Sequence, residues 1–309
     1  MELTLEDFAE LFGVDPEGMP EECRDLIERH DFRYNILDPY EREKLFLSVV
    51  NRIDAAEFSL AGPEGKARWE KGWAENLDAY VSGGHDASAL VPKYIRAGQP
   101  LRLRQQYVTP EDPEFEQNWY EIFRLWIFKR YLGDFDAIYE FGCGSGHNIA
   151  VLAGLFPNSE LHGLDWAAPS KGIVDEMRVA NGWNTHGHVF DFFAPDRAIT
   201  LPENSALITL GALEQTGTNF ESFLQYELDC SPALVVHAEP IVEWYDPNNL
   251  VDYAAIRFHR TRNYWEGYVG RLKELEKEGR VEILKMKRSF FGALYIEGYS
   301  QLIWKPINS

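Results

Sequence analysis

The sequence is poor in cysteine, with three such residues, Cys23, Cys143 and Cys230, among 309. The odd count argues against a disulfide framework, and no pair has the spacing of a metal-ligand motif. The sequence therefore predicts neither disulfides nor a metal site. Cys143 lies inside a glycine-rich turn, where we interpret it as a small packing residue and not as a nucleophile.

Positive charge is also scarce, because 30 Lys and Arg face 50 Asp and Glu and the formal net charge is −20. Such a charge repels phosphate backbones and anionic lipid, which disfavours nucleic acid and membrane surfaces as partners. Long apolar runs that could span a membrane are missing. The acidic, amphipathic N-terminus is unlike a signal peptide, so we expect a cytoplasmic protein.

Hydrophobic residues make up 45% of the chain, enough for one large domain or for a domain with a sizeable extension. Residues 1–112 are predicted to be such an extension, mainly helical. Apolar spacing predicts an N-terminal helix that stops at Gly13, a second over 39–60 and a third around 69–80. The stretch 92–107 has no clear periodicity and is predicted to be irregular.

A change of pattern follows residue 112. A helix over 113–132 has an aromatic stripe, which we interpret as core contact with a sheet. Strands and helices then alternate, which predicts a parallel sheet covered on both faces. A helix over 249–278 is expected to bend at Gly267 or Gly270. The predicted strands are 136–142, 160–166, 186–192, 206–212, 233–239 and a final antiparallel pair, 281–290 and 299–306.

The stretch 137–150 reads as a buried strand, a glycine turn and a helix start. The turn has three alternating glycines, Gly142, Gly144 and Gly146. Glycine permits positive φ and lets a ligand lie against bare backbone, and the N–H groups of a helix start can face polar ligand atoms. A dinucleotide-binding turn would be G-x-G-x-x-G, but His147 stands where its more distant glycine would fall. Glu140 precedes the first glycine by two positions.

This E-x-G-x-G-x-G pattern and the order of elements over 113–306 resemble class I S-adenosylmethionine (SAM)-dependent methyltransferases. The resemblance implies an α/β, Rossmann-like fold with a seven-stranded, mostly parallel sheet of order 3-2-1-4-5-7-6 and helices on both faces. It also implies that residues 113–309 bind SAM and that 1–112 form a cap that shapes the acceptor pocket. The glycines would pass under the amino-acid part of SAM, and Glu140 would anchor its ammonium.

Ligands of open α/β sheets bind beyond the carboxyl ends of the strands. Asp165 ends the second predicted strand, where its two carboxylate oxygens suit two ribose hydroxyls. The resemblance implies the same role, with Trp166 beside the adenine. It further implies that Asp191 accepts from the adenine amino group and that Phe192 offers a backbone N–H. Gly211, at the end of the fourth strand, would allow close approach between cofactor and acceptor.

The fifth strand presents His237 and Glu239 at its carboxyl end, on one face by the two-residue period of a strand. His237 can take a proton near neutral pH, so we predict it as the general base, with Glu239 or Glu214 as assistant. A structural histidine beside a turn glutamate is the alternative. Glu214 and Gln215 follow the fourth strand and either touch substrate or cap the next helix.

A basic, aromatic segment follows the fifth strand. Helical spacing places Arg257, Arg260 and Tyr264 on one side, with His259 and Arg262 nearby. In an acidic protein this cluster can bind an anionic acceptor group, so we predict it, together with Gln215, as substrate-binding. The alternative is that these arginines pair with the many surface acids.

The leading hypothesis is therefore a SAM-dependent methyltransferase that acts on a small molecule, most simply on a hydroxyl of a sugar or natural-product scaffold. One alternative keeps the SAM pocket but gives it other chemistry or a non-catalytic regulatory role. Another is a nicotinamide oxidoreductase, which the glycine spacing disfavours. The sequence defines neither the acceptor nor whether the extension is a lid or an arm of a homodimer.

Overall fold

The computed structural model describes residues 1–92 and 95–307 of the chain. Lys93 and Tyr94, which belong to the stretch predicted to be irregular, lie outside the described residues. The elements of the extension are α1 (Leu5–Phe12), α2 (Glu21–Arg29), β1 (Tyr34–Ile36), α3 (Pro39–Asp54), α4 (Lys66–Ser82), β2 (Leu101–Leu103) and β3 (Gln106–Pro110). The extension is helical as predicted, but it also contributes these three strands.

The rest of the chain alternates strands and helices, as the sequence pattern predicts. Its elements are α5 (Phe115–Tyr131), β4 (Ala137–Phe141), α6 (His147–Leu155), β5 (Glu160–Asp165), α7 (Ala168–Asn181), β6 (Thr185–Val189), β7 (Ser205–Leu210), α8 (Glu221–Cys230), β8 (Leu234–Glu239), α9 (Leu250–Thr261), α10 (Tyr268–Lys277), β9 (Val281–Lys287), β10 (Phe291–Gly292) and β11 (Ser300–Pro306). None of the described helices combines the length and the apolar character that a membrane crossing requires.

A seven-stranded sheet of order β6-β5-β4-β7-β8-β11-β9 forms the centre of the molecule. The strands from β4 to β8 pair in parallel, whereas β11 runs antiparallel to both β8 and β9. If the seven strands of this sheet are numbered 1 to 7 along the chain, their order in the sheet is 3-2-1-4-5-7-6. The predicted Rossmann-like α/β fold is therefore confirmed.

Helices cover both faces of this sheet. On one face, α5, α6 and α7 form a core to which Trp119 and Phe123 of α5 contribute fully buried rings. Burial of one phenylalanine side chain contributes roughly 1.5–3 kcal/mol to stability. On the other face, Phe223 of α8 and Leu272 of α10 pack beneath the sheet. Phe12 of α1 packs edge-on against Trp119, so the extension shares the first of these cores.

A second, antiparallel sheet has the order β1-β3-β2-β10. The prediction of an irregular course over 92–107 is wrong where β2 and β3 form this sheet. These strands span three and five residues, and β10, which pairs with β2, spans only two. Segments this short show no clear alternation of polar and apolar residues, so the sequence pattern does not reveal β2 and β3.

The single long helix predicted over 249–278 is also wrong, because the structure has two helices, α9 and α10. Between them, Asn263 has φ 54° and Gly267 has φ 103°. Both values lie in the left-handed region, which a right-handed helix cannot contain. Gly267 is thus the residue immediately before α10 and separates two helices instead of bending one continuous helix.

Candidate functional site

Three neighbouring cavities lie at the carboxyl edge of the central sheet, and Gly211, just after β7, lines all of them. Their volumes are about 60, 50 and 560 Å³. Gly211 has φ 63°, and a Cβ built there would meet no atom within 4 Å. Bare backbone therefore faces open space where the cavities meet, as expected for this position.

The cavity of about 60 Å³ has aromatic walls, and we call it the aromatic cavity. Trp166 and Phe193 stack there with ring centroids 6.1 Å apart, beside Phe192. Asp165 also lines it and accepts hydrogen bonds from the backbone N–H groups of Gly144 at 3.0 Å and Ala167 at 2.8 Å. Burial raises the pKa of Asp165 to about 6, so it is mostly ionised at pH 7 and keeps lone pairs for further donors.

The cavity of about 50 Å³ lies over the glycine turn, and we call it the turn cavity. Glu140 lines it, and one carboxylate oxygen, Oε1, accepts from Asn148 Nδ2 at 2.7 Å. The other oxygen, Oε2, is buried and has no partner in the described part of the chain. Burial raises the pKa of Glu140 to about 8. A buried carboxyl with one unused oxygen is suited to a cationic ligand.

A short polar chain fixes the orientation of Glu140. The Asn148 side-chain oxygen accepts from the Tyr120 hydroxyl at 3.0 Å and lies 3.4 Å from Arg124 Nη1. The Arg124 guanidinium lies 4.5 Å from the centre of the Tyr120 ring. Asn148 therefore presents its amide nitrogen to Glu140, because its oxygen is already held by two donors.

Two tryptophans of α4 cover the site. Trp69 and Trp73 stack with ring centroids 5.4 Å apart, and both line all three cavities. Trp73 also covers the glycine turn, since a Cβ built on Gly144 would lie 2.8 Å from its ring. Sequence reasoning placed these rings on a helix but missed their role, because nothing local shows that α4 folds back over the sheet.

The cavity of about 560 Å³, which we call the large cavity, extends from Gly211 to the extension and to the segment before β11. Two buried acids, Glu214 and Glu116, line it. Burial raises the pKa of Glu116 to about 7, and one of its oxygens accepts from Gln99 Nε2 at 2.8 Å. The volume is within the usual 300–1,000 Å³ of small-molecule sites.

Glu214 lies against a second buried acid, Glu239. The Glu239 carboxylate accepts from the backbone N–H groups of Ala212 and Leu213 at 3.1 Å and of Glu214 at 3.3 Å. Burial and the neighbouring Glu214 carboxyl raise the pKa of Glu239 well above its usual range. Two adjacent buried carboxyls cannot both be ionised at low cost, so the pair retains one proton. Among the described residues, Glu239 does not line any of the three cavities. Its hydrogen bonds instead stabilise the loop that carries Glu214.

His237 does not reach these cavities, and its prediction as general base is wrong on this geometry. Its ring is fully buried on the opposite face of the sheet, under α8 and α10. Nδ1 lies 2.9 Å from Thr209 Oγ1, while Nε2 lies 3.1 Å from the Tyr268 hydroxyl and 3.2 Å from Glu227 Oε1. Both ring nitrogens are occupied, so the alternative of a structural histidine describes it.

The other predicted cofactor residues divide into two groups. Gly142, Gly144, Trp166 and Phe192 line the aromatic or turn cavity. Two predicted residues are absent from the described cavity walls, Gly146 and Asp191. Gly146 begins α6 and packs on Met177, and the Asp191 carboxylate accepts from the Phe193 N–H at 2.9 Å.

The predicted substrate cluster also divides. Gln215 and Tyr264 line the large cavity, whereas the other three residues, Arg257, His259 and Arg260, do not reach it in the described structure.

Arg257 pairs with Asp54 and Arg260 with Glu266 near the surface. His259 is buried, with Nε2 close to the Trp265 carbonyl oxygen. The alternative, pairing of the arginines with surface acids, holds for Arg257 and Arg260. The large cavity instead has Arg68, Arg96 and Arg262 in its walls.

No known protein family and no curated protein matches the sequence. Among solved structures, human N-acetylserotonin methyltransferase with SAM is 14% identical, at a TM-score of 0.44 over 83% of this chain and 66% of that one. An O-methyltransferase from neocarzinostatin biosynthesis is 13% identical, at a TM-score of 0.41 over 78% and 70%.

The structure named LaPhzM is 13% identical, at a TM-score of 0.41 over 63% of this chain. The chain spans about 59% of the length of LaPhzM. Likenesses this distant carry no argument about chemistry, which has to come from the site itself.

Proposed function

We propose that the protein is a SAM-dependent methyltransferase that methylates a hydroxyl of a small molecule. The observation that carries the proposal is the meeting of three cavities at Gly211. Two of the cavities are small. One lies over the glycine turn and the other beside Asp165 at the end of β5, so a cofactor with two parts can place one part in each. The third is large enough for an acceptor. The confirmed sheet order places this edge where open α/β sheets bind ligands.

The residues of the two small cavities fit SAM. The unpaired Oε2 of Glu140 offers an acceptor to an ammonium, and the aromatic cavity offers ring faces to a purine. Asp165 lines the aromatic cavity, accepts from the Gly144 N–H of the glycine turn, and can accept from ribose hydroxyls with its remaining lone pairs. When bound, SAM supplies a methyl group already activated by its sulfonium.

The residues of the chain then position the acceptor and remove its proton. The stacked Trp69 and Trp73 line all three cavities, so their rings would shield the bound reactants from bulk water. Glu214 is the proposed general base, since it lines the large cavity three positions after Gly211. Burial and the neighbouring Glu214 carboxyl raise the pKa of Glu239, so Glu239 is the member of the pair that favours the protonated form.

We also propose that residues 1–112 act as the cap of this site. Four side chains of α4 line the large cavity, Arg68, Trp69, Trp73 and Asn76. The Asn76 amide is held by the Ala89 carbonyl oxygen at 2.7 Å, which fixes the inner surface of the helix. The extension would thus shape the acceptor site while residues 113–309 bind the cofactor.

Isothermal titration calorimetry with SAM and with S-adenosylhomocysteine tests the cofactor assignment. We expect micromolar Kd values for both. Glu140→Gln should weaken binding about tenfold or more, because it removes the charged partner of the ammonium. The matched control is Glu160→Gln on the exposed end of β5, which should bind like the wild type. Failure of the wild-type protein to bind either compound would overturn the proposal.

The raised pKa of Glu140 leads to a second prediction, which concerns the protons released when the ligand binds. At pH 7 a carboxyl with a pKa of about 8 is mostly protonated, and a bound ammonium favours its ionised form. Binding of S-adenosylhomocysteine at pH 7 should therefore release most of one proton, and the release should vanish above about pH 9. Titrations in buffers of different ionisation enthalpy measure it. If Glu140→Gln released as many protons as the wild type, another group would be responsible.

A further inference from the structure

Three arginines, Arg68, Arg96 and Arg262, line the large cavity of a chain whose net charge is −20. With 50 acids in the chain, most arginines should find a carboxylate near by. Arg257 and Arg260, close to Arg262 in sequence, do so with Asp54 and Glu266. The arginines of the large cavity therefore require a separate explanation.

Arg68 and Arg262 lie against aromatic rings and not against carboxylates. The Arg68 guanidinium lies 5.1 Å from the centre of the Trp69 ring, and that of Arg262 lies 5.0 Å from the centre of the Tyr264 ring. Within the described residues, neither has a carboxylate within 4.0 Å. The Arg262 Nε atom is buried and lacks a hydrogen-bond acceptor there. Stacking leaves the edge donors of a guanidinium free to bind an oxyanion.

The two cations are also close enough to repel each other. Burial and the charge of Arg262 lower the pKa of Arg68. Two like charges beside a low-dielectric cavity attract a counter-ion, because an anion between them relieves the repulsion. A carboxylate in direct contact would serve this purpose, but Glu214 and Glu116, which line the same cavity, form no ion pair with either guanidinium within the described residues. The counter-charge is therefore expected from the ligand.

Tyr264 relates this pair to the proposed base. Burial raises the pKa of its phenol to about 12, and the charges of Glu214, Arg262 and Arg68 all act on it. Tyr264 thus shares one cavity with the acid and the two arginines, and its ring contacts the Arg262 guanidinium. The surrounding walls contain several further aromatic rings, including those of Phe258 and Tyr295. A planar apolar body suits such walls, with a hydroxyl towards Glu214 and a negative group towards the arginines.

We infer that the acceptor is a hydroxylated aromatic molecule with an oxyanion, a carboxylate or phosphate group, that Arg68 and Arg262 bind. The inference rests on the proposed function for the reaction, but the anion site itself is read from the two guanidinium groups. The sequence predicts that an arginine cluster binds an anionic acceptor group, and the inference keeps that chemistry but assigns it to other arginines, because Arg257 and Arg260 pair with Asp54 and Glu266. Arg262 and Arg68 replace Arg257 and Arg260.

Calorimetry with a matched pair of probes tests the inference. Cinnamate and cinnamamide have the same shape and differ in charge, and each is titrated into protein saturated with S-adenosylhomocysteine. We expect cinnamate to bind at least tenfold more tightly, with a preference that falls as salt is added. Arg262→Gln and Arg68→Gln should each remove most of this preference. Arg260→Gln is the matched control, since it removes the same charge two residues away and should leave the preference unchanged.

Two results would overturn the inference. One is equal affinity of the wild-type protein for cinnamate and cinnamamide. The other is a preference for cinnamate that survives in both arginine variants. Melting temperatures close to that of the wild type show that the variants are folded. Because S-adenosylhomocysteine binding is measured first, its absence would reject the proposed function, whereas normal cofactor binding with no charge preference would reject only the anion site.

Discussion

Glu214→Gln is expected to lower kcat by about 10²- to 10⁴-fold, the usual contribution of a general base. The amide keeps the shape of the carboxylate and its contact with Gln215 Nε2, which lies 3.0 Å from Glu214 Oε1. It cannot take a proton from the acceptor hydroxyl. The affinity for S-adenosylhomocysteine should stay within about twofold, because Glu214 lines only the large cavity of the three. The rate is measured as S-adenosylhomocysteine formed with phenolic acids such as caffeate and 4-hydroxybenzoate.

Two further variants make this experiment decisive. Glu116→Gln removes the other acid of the large cavity, whose pKa of about 7 would also suit a base. We expect it to alter KM more than kcat. His237→Gln should lower the melting temperature and change kcat little, because both ring nitrogens are held away from the cavities. A large loss of kcat in Glu116→Gln with normal turnover in Glu214→Gln would transfer the role to Glu116.

The order of elements along the chain and the glycine turn could be predicted because their signals are local, and the sheet order is implied by the family resemblance that those signals carry. Strands and helices alternate along the chain, and Glu140 precedes Gly142 by two positions whatever surrounds them. The position of His237 could not be predicted in the same way. The two-residue period places His237 and Glu239 on one face, but only the helices packed on β8 decide which face adjoins the cavities. Ala238, on the other face of the strand, is the residue that lines the large cavity.

The arginines show a second limit of sequence reasoning. Helical spacing groups Arg257 with Arg260, but their partners Asp54 and Glu266 decide their role, and Asp54 is distant in sequence. Arg262 reaches the large cavity because the chain leaves α9 at this point. Arg68 comes from the extension, where no motif indicates a site. Long-range packing therefore determines the large cavity, whereas a short continuous motif indicates the proposed cofactor site.

A largely buried network of four charges connects the second sheet to α9 and to the segments on either side of β10. Arg102 of β2 is fully buried and donates to Asp252 of α9 at 2.9 Å and, more weakly, towards Glu297 at 3.5 Å. Arg288 donates to the same two acids at 2.6–2.8 Å. Glu297 belongs to the segment between β10 and β11, part of which lines the large cavity. The network thus supports the acceptor site as well as the fold.

Arg102→Met should destabilise the protein by about 3–5 kcal/mol, because it leaves two buried carboxylates with one guanidinium. It also frees the Val251 carbonyl oxygen, which accepts from Arg102 Nη1 at 2.6 Å. Urea unfolding monitored by circular dichroism measures the change in the free energy of unfolding. The control is Arg33→Met, which breaks the more exposed pair with Asp31 and should cost at most about 1 kcal/mol. Equal losses in the two variants would mean that the buried network adds no more than a surface ion pair, and that apolar packing alone holds the second sheet against α9.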